Sequence, residues 1–138
     1  MTALLLDTHI WLWYAEGDAG RLPANSVRRL DQARTQDGLR VSSISVWELG
    51  ILHAKGRIQL SIPLRDWVKR ALEPAGISLL PLDAETAVES SLLPGEPHGD
   101  PADRFLVAAA RTQGLILATR DEAIIEYGDA GHIRALKL

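Results

Sequence analysis

Residues 2–13 read TALLLDTHIWLW, a short apolar run, one aspartate and a second apolar run. Residues 3–6 are consecutively apolar, which is typical of a strand buried on both faces of a parallel sheet. The residues after Asp7 suit a helix through about Ala15, and Gly17 follows as a helix stop. A strand that leads directly into a helix predicts the first unit of an α/β fold.

The rest of the chain alternates between the same two kinds of element. Further helices are predicted over residues 23–34, 45–55, 64–72, 83–92, 101–113 and 120–128. Further strands are predicted over residues 40–42, 77–80, 115–119 and 133–136. Ser45 and Glu48 have the spacing of a capping box, with Ser45 as the cap of its helix. This alternation predicts a central, mostly parallel sheet that helices cover on both faces.

Length and composition restrict the class of protein. A chain of 138 residues with 46% hydrophobic and 24% charged residues fits one globular domain. The chain has no cysteine, which excludes disulfides and thiolate zinc sites and leads us to expect a cytoplasmic protein. The N-terminal apolar run is too short for a membrane helix and lacks the basic flank of a signal peptide. A net charge of -3 argues against a protein that coats nucleic acid by bulk electrostatics.

Carboxylates recur where strands of the predicted sheet end. In an open parallel sheet, ligands bind beyond the carboxyl ends of the strands, at the point where the strand order reverses. Five carboxylates are expected at this edge: Asp7, Glu48, Asp100, Asp103 and Asp121. Each of them has a second explanation as a helix cap or as a favourable charge in a first helical turn. Capping explains each residue singly, but it does not explain why all five fall on one edge.

Several carboxylates within a few ångströms repel one another unless a cation neutralises them. Oxygen ligands select a hard cation, so Mg²⁺ or Mn²⁺ is expected, and phosphodiester hydrolysis is the natural reaction. Phosphate-binding glycine loops and a serine nucleophile turn are absent from the sequence. The four histidines are not spaced as a zinc motif, and we expect them to be exposed or structural, with His9 and His98 as the candidates for touching the site. The tryptophans are expected in the core or at an interface.

Four segments together resemble a known family: LLLDTHIWLW at residues 4–13, SSISVWELGIL at 42–52, HGDPADRFLVAAA at 98–110 and LILATRDEAI at 115–124. In this order they are similar to the PIN-domain ribonuclease toxins of bacterial toxin-antitoxin pairs, the VapC family. The resemblance implies an α/β/α sandwich formed by residues 1–138 as a single PIN-like domain. It further implies a Mg²⁺- or Mn²⁺-dependent endoribonuclease, a cognate antitoxin as partner, and a homodimer.

The resemblance also assigns roles to residues of this chain. Asp7, Glu48, Asp103 and Asp121 match the four acidic residues of the family's catalytic site. Asp7 and Asp103 would be the main metal ligands, and Glu48 and Asp121 would complete the pocket through bound water. Two accessory residues are Asp100 and Thr119, the latter matching a small hydroxyl residue before the fourth acid. Two arginines beside the acids, Arg104 and Arg120, are candidates for holding RNA phosphates.

Two other functions stay open at this stage. A phosphoryl-transfer enzyme of the haloacid-dehalogenase kind also has an aspartate after its first strand, but it needs a second one two residues later, where this chain has His9. A degenerate PIN fold that only binds proteins is the second alternative. The presence of all four matching acids argues against a degenerate site.

Overall fold

The computed structural model describes residues 2–138, which form five strands and seven helices. The strands are β1 Leu4–Leu6, β2 Leu39–Ser42, β3 Ile77–Leu80, β4 Ile116–Thr119 and β5 Arg134–Lys137. The helices are α1 Thr8–Glu16, α2 Ala24–Thr35, α3 Ser43–Ala54, α4 Leu64–Leu72, α5 Ala84–Ser91, α6 Pro101–Gln113 and α7 Glu122–Asp129. The predicted order of strands and helices is therefore confirmed. Met1, the first residue of the predicted domain, lies outside the described residues.

The five strands form one parallel sheet in the order β3-β2-β1-β4-β5. From β1 the chain moves outward through β2 to β3, then returns to the other side of β1 to add β4 and β5. The strand order thus reverses between β1 and β4, where Leu6 pairs with Ala118. Beyond this pair, the Asp7 amide donates to the Ala118 carbonyl at 2.9 Å. The position at which such sheets bind ligands therefore lies beside Asp7.

Strand β1 is buried on both faces, as its apolar run predicts. Leu4 and Leu6 belong to one hydrophobic cluster, which includes residues of α1, α2 and α4. Leu5 belongs to the opposite cluster, with residues of α6 and α7. Because successive side chains of a strand point to opposite faces, two helical layers enclose the sheet. This is the predicted α/β/α sandwich. None of the helices within residues 2–138 is both long and apolar enough to cross a membrane.

The start of α3 corrects one prediction. Ser42, the last residue of β2, caps this helix, and its Oγ accepts a hydrogen bond from the Ile44 amide at 3.1 Å. Ser45 is not the cap: it lies inside the helix, fully buried, and its Oγ accepts from Thr8 Oγ1 at 2.9 Å. The segment offers several serines, and the end of the strand determines which one becomes the cap. Glu48 therefore lies in the second turn of the helix and is not part of a capping box.

The four tryptophans divide between core and surface. Trp11 and Trp67 are buried and pack edge to face, with ring centroids 5.2 Å apart. Trp13 is partly buried and contacts the same core. Trp47 is 56% exposed on α3, so it contributes little to the core of the described chain.

Candidate active site

A pocket of about 550 Å³ opens at the carboxyl ends of β1 and β4. All five carboxylates singled out in the sequence line it: Asp7, Glu48, Asp100, Asp103 and Asp121. They come from the ends of β1 and β4, from α3 and from the first turn of α6. The topology thus brings together residues that are more than 100 positions apart in the chain. As expected from the sequence, the five acids lie together at one edge of the sheet.

Asp7 is fixed between the two central strands. Its side chain is buried, with the residue 8% exposed. Oδ1 accepts a hydrogen bond from the Thr8 amide at 2.8 Å, and Oδ2 accepts one from Thr119 Oγ1 at 2.7 Å. Burial raises the pKa of the Asp7 carboxyl above its ordinary value, and these two hydrogen bonds oppose that rise. The carboxylate is therefore held in one orientation at the base of the pocket.

Thr119 connects two of the acidic residues. Its hydroxyl is fully buried at the end of β4, where it donates to Asp7 and accepts a hydrogen bond from the Asp121 amide at 2.9 Å. One hydroxyl thus sets the orientation of the Asp7 side chain and the backbone position of Asp121. The sequence named Thr119 as an accessory residue, and the described contacts give that suggestion a physical basis.

Three of the five carboxylates cap helices and line the pocket at the same time, and Asp7 is the cap of α1. Asp100 caps α6, with Oδ1 accepting from the Asp103 amide at 3.2 Å. Asp121 caps α7, with Oδ1 accepting from the Ile124 amide at 3.1 Å. A carboxylate has two oxygens, so capping uses one and leaves the other for the pocket. Capping and site formation, treated in the sequence as alternatives, are compatible at these positions.

Asp103 lies among four other carboxylates, and its pKa is far above the ordinary value of an aspartate. Burial raises the pKa of its carboxyl to about 8. The charges of four neighbouring carboxylates add to this rise: Asp7, Asp100, Glu48 and Asp121. Burial likewise raises the pKa of the Glu48 carboxyl, and the charges of Asp100 and Asp7 contribute. Strongly shifted acids that crowd one another in a pocket indicate a functional site.

The donor set suits a hard divalent cation. Within residues 2–138, no lysine or arginine forms an ion pair with any of the five carboxylates. Crowded carboxylates are stable in the charged form only when a cation compensates them. Carboxylate oxygens are the ligands that Mg²⁺ and Mn²⁺ prefer. The residues present therefore fit the divalent ion expected from the sequence.

Sequence reasoning underestimated one residue of the site, His98. Its Nε2 lies 3.2 Å from Asp103 Oδ2 and 3.4 Å from Asp121 Oδ2. The ligand-type atoms of these three side chains all lie within 4.8 Å of one another. His98 is therefore neither exposed nor merely structural, and His9 also lines the pocket. The sequence signal was present in the HGDP segment, where a histidine precedes the helix cap by two residues.

The two arginines named in the sequence lie in different surroundings. Arg120 lines the pocket, donates to the Arg21 carbonyl, and places its guanidinium 5.8 Å from the ring centroid of Trp13. Arg104 donates to the Ser90 carbonyl through Nε at 3.2 Å and Nη2 at 2.8 Å. The guanidinium of Arg104 thus supports the packing of α6 against α5. Arg120 is the better placed of the two to contact an anion in the pocket.

Comparisons with known proteins agree with this fold. Residues 4–130 match the PIN domain family. The chain is 36% identical over 125 residues to "Ribonuclease VapC22" of Mycobacterium tuberculosis, which covers 90% of this chain and 91% of that protein. Among solved structures, DNA-bound VapBC from Salmonella typhimurium matches with a TM-score of 0.69 at 20% identity, covering 99% of this chain and 98% of that one. VapBC2 from Rickettsia felis, bound to a promoter DNA fragment, matches with a TM-score of 0.72 at 14% identity and 98% coverage of both chains.

Proposed function

This chain belongs to the PIN domain family, and on that premise we propose that it is a metal-dependent endoribonuclease that hydrolyses RNA phosphodiester bonds. In this proposal it acts as the toxin of a toxin-antitoxin pair. The observation that carries the proposal is the pocket of five carboxylates without any lysine or arginine ion-pair partner among residues 2–138. The similarity to a VapC ribonuclease supports the choice of RNA as substrate.

The proposed metal ligands are Asp7 and Asp103, with Glu48 and Asp121 acting through bound water and Asp100 in an accessory role. A bound Mg²⁺ or Mn²⁺ would supply an activated water and neutralise charge on the phosphate. The chain's own residues set up that chemistry by holding the carboxylates in place. The Thr119 hydroxyl fixes the orientation of Asp7, and the cap of α7 fixes one oxygen of Asp121.

Arg120 is the residue that we propose to contact the RNA backbone. A guanidinium binds phosphate oxygens with two parallel hydrogen bonds, which suits this position at the edge of the pocket. The choice between Mg²⁺ and Mn²⁺ and a cytoplasmic location are further parts of this proposal. That the chain forms a homodimer stays a prediction.

RNA cleavage by the purified protein tests the proposal. We expect cleavage with Mg²⁺ or Mn²⁺, none after EDTA treatment, and recovery when the divalent ion is restored in excess. The reason is that the crowded carboxylates need a cation before they can organise a phosphate and a water. Cleavage that persists in EDTA would contradict the metal dependence. Metal binding without cleavage of any RNA would favour the protein-binding alternative.

A second cavity supports the proposed antitoxin partner. It has a volume of about 830 Å³, and its walls come from α1, α2, α4 and neighbouring segments, with Trp11, Tyr14 and Trp67 among them. Two exposed arginines, Arg28 and Arg70, also line it, so an apolar segment that carries an acidic side chain would fit there. We propose that a segment of the antitoxin occupies this cavity.

Charge reversal at the edge of the cavity tests that docking place. We expect Arg70→Glu to weaken binding of the cognate antitoxin about tenfold, because it places a negative charge beside the acidic side chain of the docked segment. Lys69→Glu is the matched control, since it makes the same change at the neighbouring exposed position of α4, which does not line the cavity. Isothermal titration calorimetry with folded variants gives both affinities. Equal losses for the two variants would contradict docking in this cavity.

A further inference from the structure

His98 is held in the carboxylate pocket by a segment that connects α5 to α6. Residues 92–100 form this connection, and Tyr127 anchors its first half by donating to the Pro94 carbonyl at 2.5 Å. The second half places the His98 ring beside Asp103 and Asp121, with Nε2 at 3.2 Å and 3.4 Å from one oxygen of each. The His98 side chain is 24% exposed, so it lies at the mouth of the pocket and not at its base.

The backbone hydrogen bond to the His98 ring determines where its proton is. Asp100 donates its backbone N–H to His98 Nδ1 at 2.9 Å, so Nδ1 presents a lone pair. A neutral imidazole carries its single proton on the other nitrogen. Nε2 therefore carries the N–H, and an oxygen of Asp103 at 3.2 Å and one of Asp121 at 3.4 Å are its close acidic neighbours.

This arrangement is incompatible with His98 as a metal ligand in its present position. A histidine that binds a metal through Nε2 needs a lone pair there and carries its proton on Nδ1. Here Nδ1 faces the Asp100 amide, and a proton on Nδ1 would oppose that N–H. The three side chains look like a ligand triad by distance alone, but in this tautomer His98 turns an N–H, and not a lone pair, toward the two carboxylates.

We propose that His98 is a positioning residue that takes the place of the divalent ion in the metal-free protein and leaves the pocket when the ion binds. This inference rests on the proposed function, because it assumes that Asp103 and Asp121 face a metal. The positive end of the Nε2–H lies close to both carboxyl groups, so it reduces their mutual repulsion when both are ionised. Because a cation and the Nε2–H require the same carboxylate oxygens, the two compete. His98 therefore weakens metal binding while it stabilises the metal-free fold.

Metal affinity of the metal-free protein tests this competition. We expect His98→Ala to bind Mn²⁺ roughly three- to tenfold more tightly than the wild type, because the ion no longer displaces a donor. His98→Gln is the control, since glutamine keeps a neutral N–H donor on a side chain of similar length, and its Mn²⁺ affinity should stay near that of the wild type. Calorimetry or Mn²⁺ electron paramagnetic resonance measures all three dissociation constants.

Thermal unfolding supplies a second readout. Without metal, His98→Ala should melt at a lower temperature than His98→Gln. Added Mn²⁺ should raise the melting temperature of His98→Ala by more than it raises that of His98→Gln. Weaker Mn²⁺ binding by His98→Ala would overturn the inference and make His98 a ligand, and unchanged binding would overturn it as well. A wild-type protein that binds no Mn²⁺ would instead refute the proposed metal-dependent function itself, so the two failures are distinguishable.

Discussion

Asp103→Asn is expected to lower the rate of RNA cleavage by about a thousandfold or more at saturating Mg²⁺. The substitution keeps the size of the side chain but removes the charge at the centre of the carboxylate cluster, where the metal is proposed to bind. An amide is a far weaker ligand for Mg²⁺ than a carboxylate. Single-turnover cleavage of a fluorescent RNA, with variant and wild type at equal concentration, measures the ratio.

A matched control is available on another helix. Asp66 occupies the first turn of α4, as Asp103 does in α6, but it is exposed and does not line the pocket. Asp66→Asn therefore removes the same charge from the same helical position and should change cleavage by less than about twofold. Asp7→Asn should lower the rate of RNA cleavage about as strongly as Asp103→Asn. Comparable activity in all three variants would refute the carboxylate mechanism.

Much of the fold follows from local signals in the sequence. The apolar run of β1 leaves no polar face, so a strand enclosed by two helical layers is its natural environment. Gly17 and Gly114 end α1 and α6 with φ near +65°, a conformation that favours glycine over other residues. The predicted cap of α3, Ser45, lies three residues after the true cap, Ser42, because serine side chains compete as caps. Only the end of β2 decides among them.

The candidate site was predictable in its acids but not in their connections. Asp7 and Asp121 follow strands, and a strand-end position can be read from the sequence. That Thr119 joins the two depends on the pairing of β1 with β4, which local patterns do not specify. The position of His98 depends on the path of a connection rich in proline and glycine, for which periodicity gives no information. Arg104 is the converse case, since it stands next to Asp103 in the sequence but does not line the pocket, and its contact with RNA stays a prediction.

The metal-free protein is expected to lose stability as the pH rises from about 4 to about 8. The pKa of Asp103 is raised from 3.8 to about 8 in the folded chain, so across this range the folded state holds a proton that the unfolded state has released. Stability falls with pH wherever the folded state binds more protons, and the fall ends above the folded pKa. The pKa values of Asp7 and Glu48 shift in the same direction. Allowing for solvent screening, the loss is roughly 2 to 3 kcal/mol.

Thermal melts in EDTA at pH 5 and pH 8 measure this loss. Between these two pH values, we expect the melting temperature of the wild type to fall by roughly 5 to 10 °C more than that of Asp103→Asn. Asp103→Asn should flatten the pH dependence because it cannot ionise, whereas Asp66→Asn should keep it. Added Mg²⁺ binds the ionised carboxylates, so it should restore stability at pH 8 and do little at pH 5. A metal-free wild type that is equally stable at both pH values would show that the crowded charges do not strain the fold. The same repulsion that destabilises the empty pocket is what makes it bind a cation.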